Sequence, residues 1–206
     1  AATIVAGGTA GIFAGPAVAG VMHWLGGMIN SATNLHPIPM GVVLSVVMGL
    51  VLTLPFSSAA LSISLGLSGL AAGASTVGCC CQMIGFAVAG YRENGVGGLI
   101  SQGLGTSMLQ MPNIIKNPWI WVPPTAASAL LGPLSATVFR MENNSIGAGM
   151  GTSGLVGQFS TMEVMGPSSW PSVLILHFIL PGALSLIFSY LLRKAGLIRE
   201  GDMKLE

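Results

Sequence analysis

The sequence is short of charged residues. Its 206 residues include seven Lys or Arg and six Asp or Glu, and none of these four types occurs between Ala1 and Tyr91. A soluble domain covers its surface with charged and polar groups, whereas a charge at the centre of a bilayer costs at least about 2.5–3.5 kcal/mol. The hydrophobic content of 52% and the mean hydropathy of +0.80 agree. The sequence therefore excludes a soluble protein and predicts an integral membrane protein.

The motifs of several enzyme classes are also missing. The sequence contains no Gly-Lys-Ser/Thr phosphate loop and no His-Glu-x-x-His pair, and its only aspartate is Asp202. The net charge of +1 predicts no nucleic-acid surface. The three cysteines, Cys79–Cys81, are consecutive and would point about 100° apart on a helix, which argues against structural disulfides and a cysteine metal site. We expect no cofactor and no covalent chemistry in this chain alone, and the residues leave other metal binding undetermined.

Apolar segments suggest about six membrane spans, since a spanning helix needs about 20 apolar residues. The candidate segments are residues 1–28, 40–54, 57–74, 77–91, 118–139 and 171–192. Their Gly, Ala and Ser content lets helix backbones approach closely, as membrane helices do. We expect an all-α integral membrane protein with one transmembrane domain at 1–192 and a charged tail at 193–206. Segments 57–74 and 77–91 could instead form a re-entrant pair, and the apolar start without Met suggests a missing preceding segment.

Basic residues predict the orientation in the membrane. They cluster in the tail and in the connection that precedes residue 118: Arg92, Lys116, Arg193, Lys194, Arg199 and Lys204. Counting back through the last two spans places both groups on the same side. We therefore expect a multi-pass protein of the inner (plasma) membrane with a cytoplasmic C-terminus and with residues 140–170 on the outer side.

One sequence pattern occurs twice. Residues 103–107 are Gly-Leu-Gly-Thr-Ser and residues 149–153 are Gly-Met-Gly-Thr-Ser, and Gln, Met, Pro and Trp follow each of them before a span with a Gly–Pro kink. Because the predicted topology puts the two at opposite faces, they suggest an inverted repeat with Gly-rich re-entrant segments. Such repeats mark transporters whose site lies where the broken elements meet. The alternative explanation is the Gly-rich composition of a membrane protein.

Polar residues near these segments are the candidates for a solute site. Carboxylates and carboxamides suit sugar hydroxyls, which both donate and accept hydrogen bonds, and they could equally hold a cation. The candidates are Asn34, His36, Thr106, Glu142, Asn143, Asn144, Thr152, Ser153, Gln158 and Glu163. Since Glu163 lies among apolar neighbours, we expect that it is not on an open surface.

The alternatives for individual candidates are structural. Glu142 could pair with Arg140 at a helix end, and His36 could have a loop or capping role between two prolines. His23 and His177, both inside predicted spans, either make an interhelical hydrogen bond or belong to a solute path.

Two stretches of the sequence resemble a known family. Residues 34–41, Asn-Leu-His-Pro-Ile-Pro-Met-Gly, and residues 142–158, Glu-Asn-Asn-Ser-Ile-Gly-Ala-Gly-Met-Gly-Thr-Ser-Gly-Leu-Val-Gly-Gln, are similar to enzyme IIC, the membrane subunit of bacterial sugar phosphotransferase systems. The similarity is to a divergent branch that includes perfringolysin-regulator-like proteins. It implies a homodimeric inner-membrane sugar permease with re-entrant hairpins and an elevator-like movement.

The resemblance has limits at the site. Better-known branches bind sugar through a His and through the Glu of a Gly-Ile-Thr-Glu motif, which this sequence lacks. Glu142 and His36 are only loose analogues of those two residues. The phosphorylated group of such systems lies on a separate cytosolic IIB domain, which the resemblance implies as a partner.

The sequence therefore favours a permease for a small polar solute, with a sugar preferred over a cation, working as an enzyme IIC-type component. One alternative is an ion channel or ion transporter that uses the paired Gly-Thr-Ser segments. Another is a membrane-embedded regulator with an enzyme IIC-like fold. The expected partners are the lipid bilayer, the solute, a IIB-type protein and further copies of the chain, without nucleic acid.

Overall fold

The described part of the chain is helical. The computed structural model describes residues 20–21, 24–29, 31–33 and 35–205. Within these residues the β structure is limited to an isolated antiparallel bridge between Gly69 and Asn143, which confirms the all-α prediction. Most of the predicted span at 1–28, together with His23 and Asn34, lies outside the described residues.

Ten α-helices follow one another from Pro37 onwards in the described chain. They are α1 (Pro37–Thr53), α2 (Ser58–Ser64), α3 (Gly69–Ala89), α4 (Tyr91–Ile100), α5 (Met111–Lys116), α6 (Val122–Thr137), α7 (Ser145–Met150), α8 (Val156–Met165), α9 (Trp170–Leu174) and α10 (Leu180–Lys194). Short 3₁₀ segments lie at Ser107–Gln110, Pro118–Trp121, Ser153–Leu155 and Pro167–Ser169, and π-helical turns at Ser101–Gly105 and Ile175–Ile179.

Two helical stretches in the described residues are long and apolar enough to cross a membrane. One is α3, with 21 residues, and the other is the continuous 28-residue stretch Pro167–Lys194 that contains α9 and α10. Helix α1 is apolar but has only 17 residues. Six membrane-spanning helices are therefore not confirmed.

The predicted boundary between the third and fourth spans is wrong. The structure ends a short helix at Ser64 and then runs one helix from Gly69 through Ser75 and Thr76, where the sequence suggested a break. The polar pair does not interrupt α3 because both hydroxyls are bonded. Ser75 Oγ donates to the carbonyl of Ala148 at 2.6 Å, and Thr76 Oγ1 donates within its own helix.

Helices α1, α3, α6 and α10 form the central bundle. The run of contacts gives their directions: α1 is parallel to α3, since Ser45 lies beside Gly78 and Thr53 lies beside Gln82. The intervening segment with α2 therefore folds back along the bundle. Helix α6 runs antiparallel to α1, with Ser45 Oγ donating to the carbonyl of Ser128 at 2.7 Å.

Glycine brings the backbones of this bundle together. A Cβ at Gly78 of α3 would overlap the carbonyl group of Ser45 in α1, and a Cβ at Gly41 of α1 would overlap the backbone of Gly132 in α6. The absent side chains thus allow the direct backbone approach by which helices associate in lipid. The small residues noted in the sequence are packing surfaces.

The two ends of the bundle are defined by different contacts. At the far end, Gly69 pairs with Asn143, and the Glu142 amide lies 3.1 Å from Met165 Sδ. At the tail end, the segment 197–205 packs on the connection that follows α3. Glu93 forms an ion pair with Arg193 at 2.9 Å. The predicted placement of the tail and the 92–116 connection at one end is confirmed by this ion pair, while the side of the bilayer stays a prediction.

Further hydrogen bonds join the tail to this connection. Glu93 Oε2 accepts from the Met203 amide at 2.8 Å, and Asn94 Oδ1 accepts from the Leu205 amide at 2.7 Å. Asn113 Nδ2 donates to the Lys204 carbonyl at 2.9 Å. The tail is therefore an integral part of the folded domain.

Candidate functional site

Two helical hairpins enter the bundle from its opposite ends. The tail-end hairpin, residues 91–116, contains α4 and α5 and has its base against the C-terminal segment. The far-end hairpin, residues 145–165, contains α7 and α8 and has its base beside Glu142. Each hairpin turns at one of the two Gly-Thr-Ser segments.

The tips of the two hairpins touch each other. Thr152 Oγ1 donates to the carbonyl oxygen of Gly103 at 2.5 Å, and Ser153 Oγ donates to the carbonyl oxygen of Gly105 at 3.0 Å. Thr152 also lies 3.4 Å from Met83 Sδ of α3. The predicted approach of the two segments is confirmed by these bonds. Their depth in the bilayer and the pseudo-twofold relation remain predictions.

Backbone strain is concentrated at the far-end tip. Gly151 and Gly154 have φ values of 54° and 53°, and Leu155 has a φ of 60°. A positive φ is uncommon for a residue with a side chain, and strained backbone clusters at ligand sites and switch regions. Leu155 shares a positive φ with one other described non-glycine residue, Arg140, and its place at the tip is consistent with a functional turn.

A buried polar network lies beside the tail-end tip. Ser107 Oγ and Thr53 Oγ1 are 2.9 Å apart, and Thr53 lies 3.4 Å from Gln82 Oε1. Gln82 also accepts from Trp121 Nε1 and donates to Thr125 Oγ1, both at 3.1 Å. The network thus links the tip to α1, α3 and α6. Sequence analysis missed these residues, although a carboxamide inside an apolar span was an available signal.

A shallow, open apolar cavity adjoins this network. It has a volume of about 450 Å³ and is lined by Leu50, Pro118, Trp121, Val122, Thr125, Ala126 and Ala129. Trp121 and Thr125 belong to both the cavity and the network.

A second buried polar group lies next to the far-end tip. Gln158 Nε2 is 3.1 Å from His177 Nδ1 and 3.5 Å from Cys80 Sγ. His177 is thus engaged in an interhelical hydrogen bond, one of its two predicted alternatives. All three cysteines are buried in α3.

A comparison with protein families agrees with this architecture. Residues 1–205 match the family described as phosphotransferase system, EIIC. The chain belongs to this family. No curated protein and no solved structure matches it. The EIIC chain is accordingly an integral inner-membrane protein and a transporter component of a phosphotransferase system.

Asn143 and Asn144 of the EIIC chain stabilise the far-end hairpin. Asn143 is buried, and its Nδ2 lies 2.8 Å from Thr76 Oγ1, 3.0 Å from Thr161 Oγ1 and 3.1 Å from the Gly157 carbonyl. Asn144 Oδ1 caps the start of α7 by accepting from the amides of residues 146 and 147. These contacts assign structural roles to two residues that the sequence suggested for solute binding.

The two carboxylates lie at the far end and are exposed. Glu142 and Glu163 both present their side chains at the surface of the chain, and Asn144 Nδ2 lies 3.4 Å from Glu163 Oε2. The expectation that Glu163 avoids an open surface is wrong, because its apolar neighbours Phe159 and Val164 are themselves exposed and do not enclose the carboxylate. His36 is also exposed and makes no side-chain cap to α1.

The predicted hydroxyls divide between the two tips. Thr152 is buried and Ser153 half-buried at the contact between the hairpins. Thr106 Oγ1 instead accepts from the Met108 amide at 3.1 Å and starts the next 3₁₀ segment. Of the predicted set, the structure therefore brings Thr106, Thr152, Ser153 and Gln158 to the centre and leaves His36, Glu142 and Glu163 at the periphery.

Proposed function

We propose that the EIIC chain is the permease of a phosphotransferase system and moves a sugar across the inner membrane between its two hairpin tips. The observation that supports this most directly is the contact of Thr152 and Ser153 with the carbonyls of Gly103 and Gly105. The tips approach from opposite ends of the bundle, so their contact closes a route along it, and their separation opens one.

The chemistry of the tips suits a hydroxylated solute. On separation, the two hydroxyls and the two carbonyl oxygens lose their mutual hydrogen bonds. A buried polar group without a partner is costly, and a sugar hydroxyl, which both donates and accepts, can replace the lost bonds. A sugar also has apolar faces, for which the cavity beside Trp121 offers a surface.

The remaining predicted residues have peripheral places in this proposal. Glu142, Asn144 and Glu163 form a polar rim at the far end, where they would meet the solute first. Asn34 and His36 precede α1, and Asn143 acts through the position of the far-end hairpin. In this proposal Glu163→Gln and Glu142→Gln weaken solute capture, whereas changes at the tips affect passage.

The proposal includes an orientation and partners. Basic residues concentrate towards the tail end, which places the C-terminus in the cytoplasm by the positive-inside rule. A IIB-type protein would then meet the tail-end hairpin and the tail. Homo-oligomerisation is proposed from the family resemblance.

Uptake into proteoliposomes tests the function. Purified protein is reconstituted and assayed with a panel of labelled hexoses, hexitols and disaccharides, and separately with Na⁺, K⁺ and Mg²⁺. We expect saturable sugar uptake in the wild type that Thr152→Val reduces by at least about tenfold. Cation flux without sugar uptake would support the channel instead, and neither flux in a folded, reconstituted protein would favour a regulator.

A further inference from the structure

Gln158 and His177 form a buried pair in the interior of the bundle. Gln158 belongs to α8, the outgoing arm of the far-end hairpin, and His177 to the π-helical turn Ile175–Ile179. Their exposed fractions are 2% and 0%, respectively. Both lie at the level of Cys80, near the middle of the 21-residue helix α3. An ionisable side chain buried inside a membrane domain is a functional-site hypothesis.

Each partner of this pair keeps one polar atom without a hydrogen bond. Among the described residues, buried side-chain atoms in this condition include Gln158 Oε1 and His177 Nε2. Buried polar groups are paired in the great majority of native structures, so each exception needs a ligand, a water molecule or a function. Because the two unpaired atoms belong to residues that are hydrogen-bonded to each other, we look for one ligand that would pair with both.

The two orphan atoms have complementary hydrogen-bonding character. Gln158 Nε2 donates to His177 Nδ1 in the arrangement observed, so the neutral imidazole bears its proton on Nε2. The pair therefore offers one donor, His177 Nε2, and one acceptor, Gln158 Oε1. A polyol matches both, because one of its hydroxyls can accept from His177 Nε2–H and another can donate to Gln158 Oε1.

The surrounding backbone supports a site that opens. A π-helical turn inserts an extra residue into a helix and is frequent at functional sites, and here it contains His177. Helix α8, which bears Gln158, lies between the positive-φ residues Gly154 and Gly166. Hinges are residues near the ends of elements that absorb backbone rotation, and these two glycines are the places where a rotation of α8 would expose the pair.

We propose that Gln158 and His177 are a hydroxyl-binding subsite for the transported polyol, on the path from the far end to the tips. The proposal rests on the proposed function and adds a specificity-determining pair to it. His177 Nε2–H donates to one solute hydroxyl, and Gln158 Oε1 accepts from another hydroxyl of the same solute. A trapped water molecule has the same hydrogen-bonding capacity, so the test separates a solute hydroxyl from a water.

Binding to the full chain in lipid nanodiscs provides that test. Calorimetry with D-glucose, D-galactose and D-mannitol identifies a bound polyol, and its monodeoxy analogues are then compared. In the wild type, we expect one deoxy position to weaken binding by at least about tenfold. Gln158→Met and His177→Phe keep the side-chain volume and remove the orphan atoms. In whichever of the two lacks the partner of that hydroxyl, the same analogue should bind as well as its parent compound.

Thermal unfolding and a matched control complete the experiment. Gln158→Met should lower the unfolding temperature, because it removes the Nε2 donor to His177 Nδ1 together with the unpaired Oε1. The control is Gln102→Met, since buried Gln102 has both polar atoms bonded, to Gly98 and to Gln110. It should lower the unfolding temperature and retain the selectivity against the deoxy analogue.

Three results would overturn the subsite. One is an equal discrimination of the deoxy analogue by wild type and both variants, which leaves the proposed function intact. Another is polyol binding as strong in both variants as in the wild type, which would indicate that the two atoms hold structural water. The third is a wild type that binds no polyol and transports a cation, which would overturn the proposed function as well.

Discussion

Thr152, on the hairpin from the far end, donates its hydroxyl proton to the carbonyl of Gly103, on the hairpin from the tail end, at 2.5 Å. The two residues are separated by 49 positions in the chain and occupy the fourth and the first place of the two Gly-rich segments, respectively. A side chain of one repeat thus bonds to the backbone of the other. A single substitution of the side chain can therefore remove this bond and test the contact between the tips.

Thr152→Val removes the hydroxyl and keeps the shape. We expect it to lower the free energy of unfolding by about 1–3 kcal/mol, because the buried carbonyl of Gly103 loses its partner. Thr152→Ser should stay near the wild type. Thr137→Val is the matched control, since the exposed Thr137 hydroxyl bonds within its own helix to Pro133. Thermal unfolding in detergent measures the change, and equal effects at both threonines would contradict the tip contact.

The ion pair between Glu93 and Arg193 should stabilise the tail end. Their side chains are 5% and 22% exposed, so removing one partner leaves a poorly solvated charge. We expect Arg193→Met to cost about 3 kcal/mol, and the double variant with Glu93→Gln to cost less than the sum of the single variants. Lys194→Met, at an exposed neighbouring position, should have little effect. If the double variant loses as much unfolding free energy as the two single variants together, the pair is not coupled.

Gly78→Ala should disrupt the packing of α1 against α3. The added methyl group would overlap the Ser45 carbonyl, a backbone group that cannot rotate away. We expect a loss of about 1–3 kcal/mol, as for other overpacked sites. In Gly182→Ala, the methyl group would meet Ile84 at 3.5 Å, an ordinary contact. This control should match the wild type or exceed it, and the reverse order of the two melting temperatures would contradict the described packing.

Cysteine labelling in intact cells checks the proposed orientation. In a background with Cys79–Cys81 replaced by alanine, a cysteine at Ser145 should react with an impermeant maleimide added outside. A cysteine at Lys116 should react only after the membrane is permeabilised, because the positive-inside rule puts the basic tail end in the cytoplasm. Labelling of position 116 but not 145 from outside would reverse the orientation.

Composition and local pattern were sufficient for the class of protein and for the place of the tips. A stretch of 91 residues without Asp, Glu, Lys or Arg cannot cover the surface of a soluble domain. The repeated Gly-Thr-Ser segments also predicted two elements that approach each other, and the hydrogen bonds at Thr152 and Ser153 agree. These properties depend on transfer energies and on local backbone freedom, which neighbouring residues determine.

The helix boundaries in the first half could not be obtained in the same way. Ser75 and Thr76 suggested a break, but the Ser75 hydroxyl bonds to Ala148, a residue 73 positions away. Whether a polar pair ends a membrane helix depends on a partner for each hydroxyl. Only the folded chain supplies the partner of Ser75.

The allocation of site residues was likewise decided by tertiary structure. Asn143 and Glu163 are equally polar in the sequence, yet Asn143 is enclosed by Thr76, Gly157 and Thr161, and Glu163 is exposed. The sequence by itself determined that polar groups are few and that they gather around two Gly-rich turns. The tertiary structure decided which of them are satisfied by distant partners and which, like Gln158 and His177, retain unpaired atoms. The physical reason is that a hydrogen bond needs its two groups about 3 Å apart, and only the packing of distant segments sets that distance.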